Sequence, residues 1–285
     1  MNAVLAPTLR LVNGVEMPRV GLGTFRMRGN EAKSAVQWAL EAGYRHVDTA
    51  SIYKNESEIA WAIKESGLPR EVVFITSKVS PLEQGYEAAM AAFAATCSRL
   101  DTAYLDLYLI HWPGVAKMHV KSERNGQLRA DTWRALEDLY RQGRCRAIGV
   151  SNYTDYHLRE LLSSCHVRPM VNQVELHPML TQHQLGALCC ENAVQIEAYS
   201  SLGCGELLRH PVVIEISAKY KRTPAQVLLR WGLQHGHVVI PKSVSKERIF
   251  RNFDLFDFEI QDVDMAALNE LNEDRHFCWN PNEIA

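Results

Sequence analysis

The sequence lacks the features that mark several large classes of protein. It has no block of lysine and arginine residues to suggest a nucleic-acid or membrane partner, and its formal net charge is only −2. No stretch of about 18 uncharged apolar residues is present, so no transmembrane helix is expected. The segment Met1–Arg10 has neither the apolar core nor the flanks of a signal peptide. These absences predict a cytoplasmic protein that binds neither nucleic acid nor a membrane.

Disulfide and metal patterns are also missing. The seven cysteines are odd in number and scattered, and no CxxC pair occurs, which is typical of reduced thiols in the cytosol. His177 and His183 lie near each other, but no HxH motif follows an early strand. We therefore expect no metal site, and adventitious histidines are favoured over a metal-dependent barrel hydrolase. No heptad pattern or exposed apolar edge is evident, so a monomer is expected.

Eight short apolar runs alternate with segments of helical periodicity. The runs are Arg19–Gly21, His46–Thr49, Val72–Lys78, Leu105–Trp112, Cys145–Ser151, Met170–Leu176, Gln195–Ser201 and His237–Ser243. Strands that alternate with helices at this spacing give a parallel sheet, and eight such units most simply close into a (β/α)8 TIM barrel. An open doubly wound sheet is the alternative, although the GxGxxG turn that it usually carries is present only as a fragment, Gly21–Thr24. No linker or internal repeat divides residues 1–285, which predicts one domain.

Turn and capping residues predict where several elements begin and end. Asn13–Gly14 lies between two short apolar segments and predicts an N-terminal β-hairpin, because both residues tolerate φ > 0 at the centre of a turn. Thr181–Gln184 and Thr223–Gln226 match the capping box and predict two helix starts. A helix that begins near Glu31 is expected to stop at Gly43.

Four polar residues stand at or after the ends of early runs: Asp48, Tyr53, Lys78 and His111. The carboxyl ends of barrel strands meet at one rim, so these side chains are expected to converge on one pocket. A phenol has a pKa of about 10 and is a poor acid at neutral pH, but a neighbouring ammonium group would lower that pKa. Asp48 would hold Lys78 charged.

The imidazole of His111 would complete this site by donating a hydrogen bond to a substrate oxygen or by relaying a proton. Such a set suits proton donation to a carbonyl oxygen that gains negative charge. On the pattern alone, a structural Lys78–Asp48 ion pair and a histidine that merely caps a strand are equally good interpretations.

Three longer segments resemble the ordered motifs of the aldo-keto reductases. They are Gly43–Glu56, Leu109–Pro113 and Ile240–Val244, and the resemblance runs from about Leu9 to Trp279. This family consists of (β/α)8 barrels that reduce carbonyl compounds with NAD(P)H. The resemblance therefore implies a reductase that acts on a small carbonyl compound.

The resemblance also implies roles for the four rim residues. Tyr53 looks like the general acid, Lys78 and Asp48 would tune its acidity, and His111 would orient the carbonyl group. The alternative is a cofactor-binding regulatory subunit that uses the same barrel with little turnover. Such subunits usually have extra N-terminal or docking segments, which are not evident in this sequence.

The cofactor contacts follow from the same motifs. The positions that match contacts to the nicotinamide and its carboxamide are Ser151, Asn152, Gln173 and Tyr199. Lys242 lies at the end of the eighth run and Arg248 shortly after it, at a helix start, where barrels often bind phosphate. We expect them to bind a 2′-phosphate and so to favour NADPH/NADP+, with NADH weaker. The other expected cofactor contacts are Gly23, Thr24, Asp48, Ser200, Leu202, Ser243, Val244 and Asn252.

The substrate pocket is expected to be aromatic. Its predicted residues are Phe25, Tyr53, His111, Trp112 and Trp279, with Phe277 as a further wall candidate. An aromatic, mostly apolar pocket accepts many aldehydes and ketones. Ser80 stands where many family members have a tryptophan, so one wall should be smaller and more polar. The loop Gly203–Glu206 is short, which predicts that the cofactor exchanges freely.

Overall fold

Ten strands and ten α-helices are formed within residues 5–285, which are the residues that the computed structural model describes. Residues 1–4, part of the segment considered above for a signal peptide, lie outside them. The strands are β1 (Thr8–Arg10), β2 (Glu16–Pro18), β3 (Leu22–Gly23), β4 (His46–Asp48), β5 (Phe74–Val79), β6 (Leu105–Ile110), β7 (Cys145–Ser151), β8 (Val171–Glu175), β9 (Gln195–Tyr199) and β10 (Val238–Val239). The helices are α1 (Gly29–Ala42), α2 (Glu56–Glu65), α3 (Tyr86–Arg99), α4 (Arg124–Arg141), α5 (Asp155–Ser164), α6 (His183–Glu191), α7 (Pro211–Tyr220), α8 (Pro224–Gln234), α9 (Lys246–Phe253) and α10 (Asp262–Asn269).

Strands β3 to β10 form one parallel sheet in chain order, and this sheet closes on itself. Val20, just before β3, forms a parallel bridge with Val239 of β10. The amides of Gly21 and Gly23 also donate to the carbonyls of Val239 and Pro241, at 2.9 and 3.1 Å. The predicted (β/α)8 barrel is therefore confirmed, together with its N-terminal hairpin of β1 and β2. An open doubly wound sheet is excluded because its outer strands would not pair.

Two glycines at the seam lie where a side chain would clash with a neighbouring segment. A Cβ atom on Gly21 would lie 2.6 Å from Nδ1 of His46, and one on Gly23 would lie 2.7 Å from the carbonyl oxygen of Ile240. The second clash is with backbone, which cannot rotate away as a side chain can. A side chain at position 23 would thus strain the backbone contact that closes the barrel.

The helices cover the barrel with apolar faces, as the periodicity predicts. Helix α1 buries Ala32, Ala35, Val36, Ala39 and Leu40, and it ends at Gly43, which adopts φ 110°. Strands β5 and β6 are buried at every residue, as expected for parallel strands between a core and a helical layer. Within residues 5–285, no helix is both long and apolar enough to cross a membrane.

The first predicted strand and the hairpin turn differ from the prediction. The run Arg19–Gly21 lies at the seam and pairs with the last strand alone, so the strand that pairs with β4 begins at Leu22. In the hairpin turn, only Gly14 has a positive φ, at 88°. Asn13 instead donates from Nδ2 to the carbonyl of Arg146 at 2.9 Å. A tertiary contact therefore overrides the local preference of the Asn-Gly pair.

One of the two predicted capping boxes is also wrong. The Thr223–Gln226 box is confirmed, because the amide of Gln226 donates to the Thr223 hydroxyl and the Thr223 amide donates to the Gln226 side chain. At the other site, α6 begins at His183 and Gln182 occupies the cap position with φ 52°. The amide of Thr181 donates to Asn272 Oδ1 at 3.0 Å, so contact with a distant loop displaces the start of this helix.

Candidate active site

The barrel brings the four predicted rim residues to one end. Asp48 is the last residue of β4, and Lys78 is the second-to-last residue of β5. His111 follows β6 directly, and Tyr53 ends a single 3-10 turn after β4. All four thus lie at carboxyl ends of strands, which is where barrels carry their active sites.

Lys78 is wholly buried and all three of its ammonium protons have an acceptor. Its Nζ donates to both carboxylate oxygens of Asp48, at 2.7 and 2.8 Å, and to the carbonyl of Thr49 at 2.8 Å. Burial lowers the pKa of Lys78. The charges of Asp48 and Tyr53 raise it by a larger amount, so the net shift of the pKa is upward. Lys78 therefore stays cationic inside the protein.

The ammonium group of Lys78 faces the half-buried phenol of Tyr53. Its Nζ lies 5.2 Å from the centre of the phenol ring. Burial raises the pKa of Tyr53, the charge of Lys78 lowers it, and Asp48 raises it again, with a net upward shift. The prediction of a phenol pKa below its usual value is thus wrong for the protein without ligands, because burial outweighs the ammonium charge.

His111 is a neutral imidazole beside the phenol. Its Nε2 lies 3.5 Å from the Tyr53 hydroxyl, and the side chain is 8% exposed. Burial and the charge of Lys78 lower the pKa of His111 well below its usual value. A neutral imidazole carries one N–H, so His111 can donate a hydrogen bond to a carbonyl oxygen without carrying a charge.

Four of the predicted nicotinamide contacts form one hydrogen-bonded group next to this site. Asn152 Nδ2 donates to the carbonyl of His111 at 2.9 Å, and Asn152 Oδ1 accepts from the Tyr199 hydroxyl at 2.7 Å. The Ser151 hydroxyl donates to the carbonyl of Gln173 at 2.8 Å. These bonds fix the phenol ring of Tyr199, which remains half-buried and can stack against a planar group.

The side chain of Gln173 links this group to Asp48. Its Nε2 donates to Asp48 Oδ2 at 2.7 Å and to Glu197 Oε2 at 2.8 Å, which fixes the orientation of the amide. Within residues 5–285 no donor reaches Gln173 Oε1, so that oxygen is left as an acceptor. A free amide acceptor beside the ring of Tyr199 fits the carboxamide of a nicotinamide.

Glu197 is a residue that the sequence interpretation missed. Its side chain is completely buried, and burial, reinforced by the charge of Asp48, raises its pKa to about 8. The available signal was a glutamate inside an apolar run, two residues before Tyr199 and hence on the same face of β9.

The two predicted phosphate-binding cations have no acidic partner in the part of the chain that the structure describes. Within residues 5–285, neither Lys242 nor Arg248 forms an ion pair with an acidic side chain. Two other cations of the same helix are paired: Lys246 with Glu41 at 2.9 Å, and Arg251 with Glu247 at 2.8 Å. Lys242 and Arg248 are therefore available for an external anion.

Two serine side chains order the segment that joins Lys242 to the start of α9. Ser245 caps the helix by accepting from the amide of Arg248 at 3.5 Å. The Ser243 hydroxyl accepts from the Ser245 amide and from Arg248 Nε, at 3.2 and 3.4 Å. A helix start with two unpaired cations is a favourable site for a phosphate group.

Other predicted cofactor contacts also have internal roles. The Thr24 hydroxyl is fully buried and donates to the carbonyl of Asp48 at 2.8 Å, and Gly23 lies against the carbonyl of Ile240 at the barrel seam. Ser200 adopts φ 51° after β9, with its hydroxyl 3.3 Å from Cys278 Sγ. The remaining predicted contacts are Leu202 and Val244, which are half-buried, and Asn252, which is buried on α9.

Aromatic side chains line the mouth of the site. Phe25 packs on Tyr53 with ring centres 5.1 Å apart, and Trp112 packs on Trp279 at 4.8 Å. The Trp112–Trp279 pair also lines a neighbouring cavity of about 430 Å³, whose lining does not include Phe25, Tyr53 or His111. Phe277 does not join these walls, because it packs on His177 and against the loop at Gly203.

Ser80 and His177 both make contacts inside the protein. Ser80 is buried and its hydroxyl accepts from the amide of Leu82 at 3.2 Å, so its polarity serves a turn. His177 contacts Glu175 at 3.2 Å rather than a neighbouring histidine. Within residues 5–285, no group of three His, Cys, Asp or Glu side chains could hold a metal ion.

Comparisons with known proteins agree with this geometry. The model of the Aldo/keto reductase family matches residues 19–273. Glyoxal reductase of Bacillus subtilis is 50% identical over 285 residues, which cover 100% of this chain and 99% of that protein. The 9,11-endoperoxide prostaglandin H2 reductase of Trypanosoma cruzi is 48% identical over 278 residues, 96% of this chain and 94% of that protein. The crystal structure of a Bombyx mori aldo-keto reductase in complex with NADP is similar with a TM-score of 0.87 at 33% identity, covering 96% of this chain and 95% of that chain.

Proposed function

The chain belongs to the aldo/keto reductase family, and on that premise we propose that it reduces aldehydes or ketones to alcohols with NADPH. The observation that carries this proposal is the wholly buried ammonium group of Lys78, which is held by Asp48 and lies 5.2 Å from the centre of the Tyr53 ring. Burying a charge is costly unless it is paired, and this one is paired beside a group that can gain a negative charge.

In this proposal Tyr53 is the general acid. Burial raises its pKa, so the phenol keeps its proton while the site is at rest. The proton leaves when negative charge develops on the substrate oxygen, and the resulting phenolate is stabilised by Lys78. Asp48 keeps Lys78 charged and holds its ammonium group in place throughout.

His111 orients the substrate by donating its single N–H to the carbonyl oxygen. Its position 3.5 Å from the Tyr53 hydroxyl allows one oxygen atom to be reached by both groups. When bound, the reduced nicotinamide would supply the hydride, since no side chain provides one. Gln173, Asn152 and Ser151 would hold its carboxamide, and Tyr199 would support its ring.

The preference for NADPH is supported by the two unpaired cations at the start of α9. Lys242 and Arg248 can neutralise a 2′-phosphate, a group that NADH lacks. The NADP complex of the Bombyx mori relative supports the same choice.

The range of substrates is proposed to be broad. The relatives at 50% and 48% identity carry the names of different substrates, glyoxal and prostaglandin H2. The aromatic walls of Phe25, Trp112 and Trp279 suit planar or apolar carbonyl compounds. We therefore expect turnover of both small dialdehydes and aromatic aldehydes.

A substrate panel tests this function. Purified protein is mixed with NADPH and either glyoxal or benzaldehyde, and the loss of reduced nicotinamide absorbance is followed against a control without aldehyde. Steady consumption with at least one aldehyde is expected, and slower consumption with NADH. Tight NADPH binding without consumption by any aldehyde or ketone would instead identify a regulatory subunit.

A further inference from the structure

A second carboxyl group, that of Glu197, lies buried next to Asp48. Gln173 and Glu197 are register partners in the pair β8–β9. The Nε2 atom of Gln173 donates to Glu197 Oε2 at 2.8 Å and to Asp48 Oδ2 at 2.7 Å. One amide group therefore joins two carboxyl groups.

Among residues 5–285, Lys78 is the only cation close to these two carboxyl groups. All three protons of the Lys78 ammonium are used by Asp48 and by the carbonyl of Thr49, so none is left for Glu197. Two buried carboxylates that share one cation cannot both be ionised without a large desolvation cost. Asp48 has the short contacts to Lys78, so Glu197 is the group that keeps a proton.

In the described part of the chain, no group near Glu197 other than Lys78 supplies a positive charge. The titratable groups that face it are His46 and Asp48 on β4, Lys78 on β5 and, at the rim, Tyr53. His46 Nε2 lies 3.5 Å from Glu197 Oε1, but burial and the charge of Lys78 lower the pKa of His46 to about 3, so it is neutral. The register partner of Glu197 on β10 is Val238.

Within residues 5–285, Glu197 Oε1 has no hydrogen-bond partner. A buried carboxyl oxygen without a hydrogen bond destabilises the folded protein. A glutamate with a purely structural role would be expected to have hydrogen bonds to both of its oxygens. Its one bonded neighbour, Gln173, is the residue proposed to hold the nicotinamide carboxamide.

We propose that Glu197 is a positioning residue that keeps its proton in the resting protein and releases it to solvent when the oxidised, cationic nicotinamide binds. This inference rests on the proposed function. When Glu197 is protonated, the charges of Asp48 and Lys78 cancel, and the site carries no net charge. With Glu197 ionised, it carries one negative charge, which favours an oxidised ring over a neutral reduced one.

The proposal predicts how the affinity for NADP+ changes with pH. Burial, with Asp48, raises the pKa of Glu197 to about 8, so the group is mostly protonated at neutral pH and mostly ionised well above pH 8. A bound cation lowers that pKa, and by linkage the affinity for NADP+ must rise as the pH rises through 8. NADPH has a neutral ring, and its affinity should change little.

Binding calorimetry with the full-length protein tests this directly. NADP+ and NADPH are titrated at pH 7 and pH 9 in two buffers of different ionisation enthalpy. For NADP+ we expect release of close to one proton at pH 7, almost none at pH 9, and about tenfold tighter binding at the higher pH. For NADPH we expect less than a twofold change. Equal proton release for both dinucleotides would overturn the inference.

Substitutions identify the group that releases the proton. Glu197→Gln keeps the size of the side chain and removes the ionisation, so the NADP+ affinity should become independent of pH between 7 and 9. Glu137→Gln is the matched control, because Glu137 is also a buried glutamate but lies on α4 in the outer layer, where it accepts from the amides of His166 and Val167. This control should keep the wild-type pH dependence. Persistence of the dependence in Glu197→Gln would exclude Glu197.

A titration that needs no cofactor separates this inference from the proposed function. The carboxyl carbons of glutamate are labelled with 13C, and the resonance missing from Glu197→Gln is followed against pH in the protein alone. A midpoint near 8 is expected, and a midpoint near 4.5 would overturn the inference. Failure of both dinucleotides to bind would contradict the proposed function while leaving this titration informative. If Glu197→Gln does not fold, the wild-type protein must still release a proton on binding NADP+ and show a glutamate carboxyl resonance with a midpoint near 8, and the absence of either result would overturn the inference.

Discussion

At the scale of single residues, the account depends on the buried ion pair of Lys78 and Asp48. The pair is inside the protein, and its geometry leaves no ammonium proton unused. Removing one partner of such a pair is far more costly than removing both, because it leaves an uncompensated buried charge.

We predict that Lys78→Met lowers the free energy of unfolding by about 3–5 kcal/mol, since Asp48 is left as a buried carboxylate without a cation. The double variant Asp48→Asn/Lys78→Met should recover more than half of that loss. Urea denaturation of the three proteins measures both effects. If Lys78→Met were as stable as the wild type, then loss of the cation would not leave an uncompensated charge on Asp48.

The cofactor preference is also decided by individual residues. We predict that Lys242→Ala or Arg248→Ala weakens NADPH binding by about tenfold or more, because each removes a charge-assisted contact to the 2′-phosphate. NADH binding should change by less than twofold. Fluorescence titration with both dinucleotides measures this.

Two neighbouring cations serve as controls for that prediction. Lys246→Ala and Arg251→Ala remove charges from the same helix, but each is already paired with a glutamate. Neither should change the ratio of NADPH to NADH affinity. Equal losses for both dinucleotides in the Lys242 and Arg248 variants would reject the 2′-phosphate assignment.

At the scale of elements, the end of β8 holds the C-terminal segment in place. The carboxylate of Glu175 accepts from the amides of Phe277 and Cys278 at 2.8 and 3.2 Å, and from His177 at 3.2 Å. Burial raises the pKa of Glu175, but these hydrogen bonds outweigh it, so the net pKa lies below the usual 4.5. Its contribution is therefore complete above about pH 4.5 and is lost as the pH falls through the lowered value.

We predict that Glu175→Gln loosens the segment that carries Trp279. Losing hydrogen bonds to a charged group costs about 1.5–3 kcal/mol each, so hydrogen exchange at Phe277 and Cys278 should accelerate at least tenfold. The KM for an aromatic aldehyde should rise several-fold while NADPH affinity is kept. Glu206→Gln is the control, because Glu206 pairs with Arg275 on the surface at 2.9 Å. Unchanged exchange in Glu175→Gln would show that the segment is held by packing alone.

The sequence was informative where local pattern and tertiary structure agree. Apolar runs predicted the barrel, and the residues at their ends predicted Asp48, Lys78 and His111 at one rim. It failed where distant contacts decide the outcome. Asn272 displaces the helix start at Thr181, and these two residues are 91 positions apart in the sequence.

The electrostatics of the site could not be predicted for the same reason. A neighbouring ammonium group was correctly expected to lower the phenol pKa of Tyr53, but the opposing effect of burial depends on how the whole barrel packs. Glu197 was missed because an isolated glutamate in an apolar run gives no sign of its neighbours. Only the closed barrel places it one amide group from Asp48.

At the scale of the whole molecule, barrel closure depends on close backbone approach at the seam. We predict that Gly23→Ala lowers the free energy of unfolding by roughly 1–3 kcal/mol, because its Cβ would lie 2.7 Å from the carbonyl oxygen of Ile240. Gly186→Ala is the matched control, since the nearest atom to its Cβ, in Ile196, is 3.9 Å away. In the interior of α6 this alanine should raise stability by about 0.5–1 kcal/mol. Equal effects in the two variants, measured by chemical denaturation, would contradict the packing argument.

The measurement that tests the central claim most directly is single-turnover reduction of an aldehyde by the preformed NADPH complex of Tyr53→Phe. This variant keeps the aromatic ring next to Phe25 and removes only the hydroxyl group that carries the proton. The account predicts that hydride transfer slows by about 10²–10⁴-fold while NADPH affinity stays within twofold of the wild type. A transfer rate equal to that of the wild type would show that the proton comes from elsewhere.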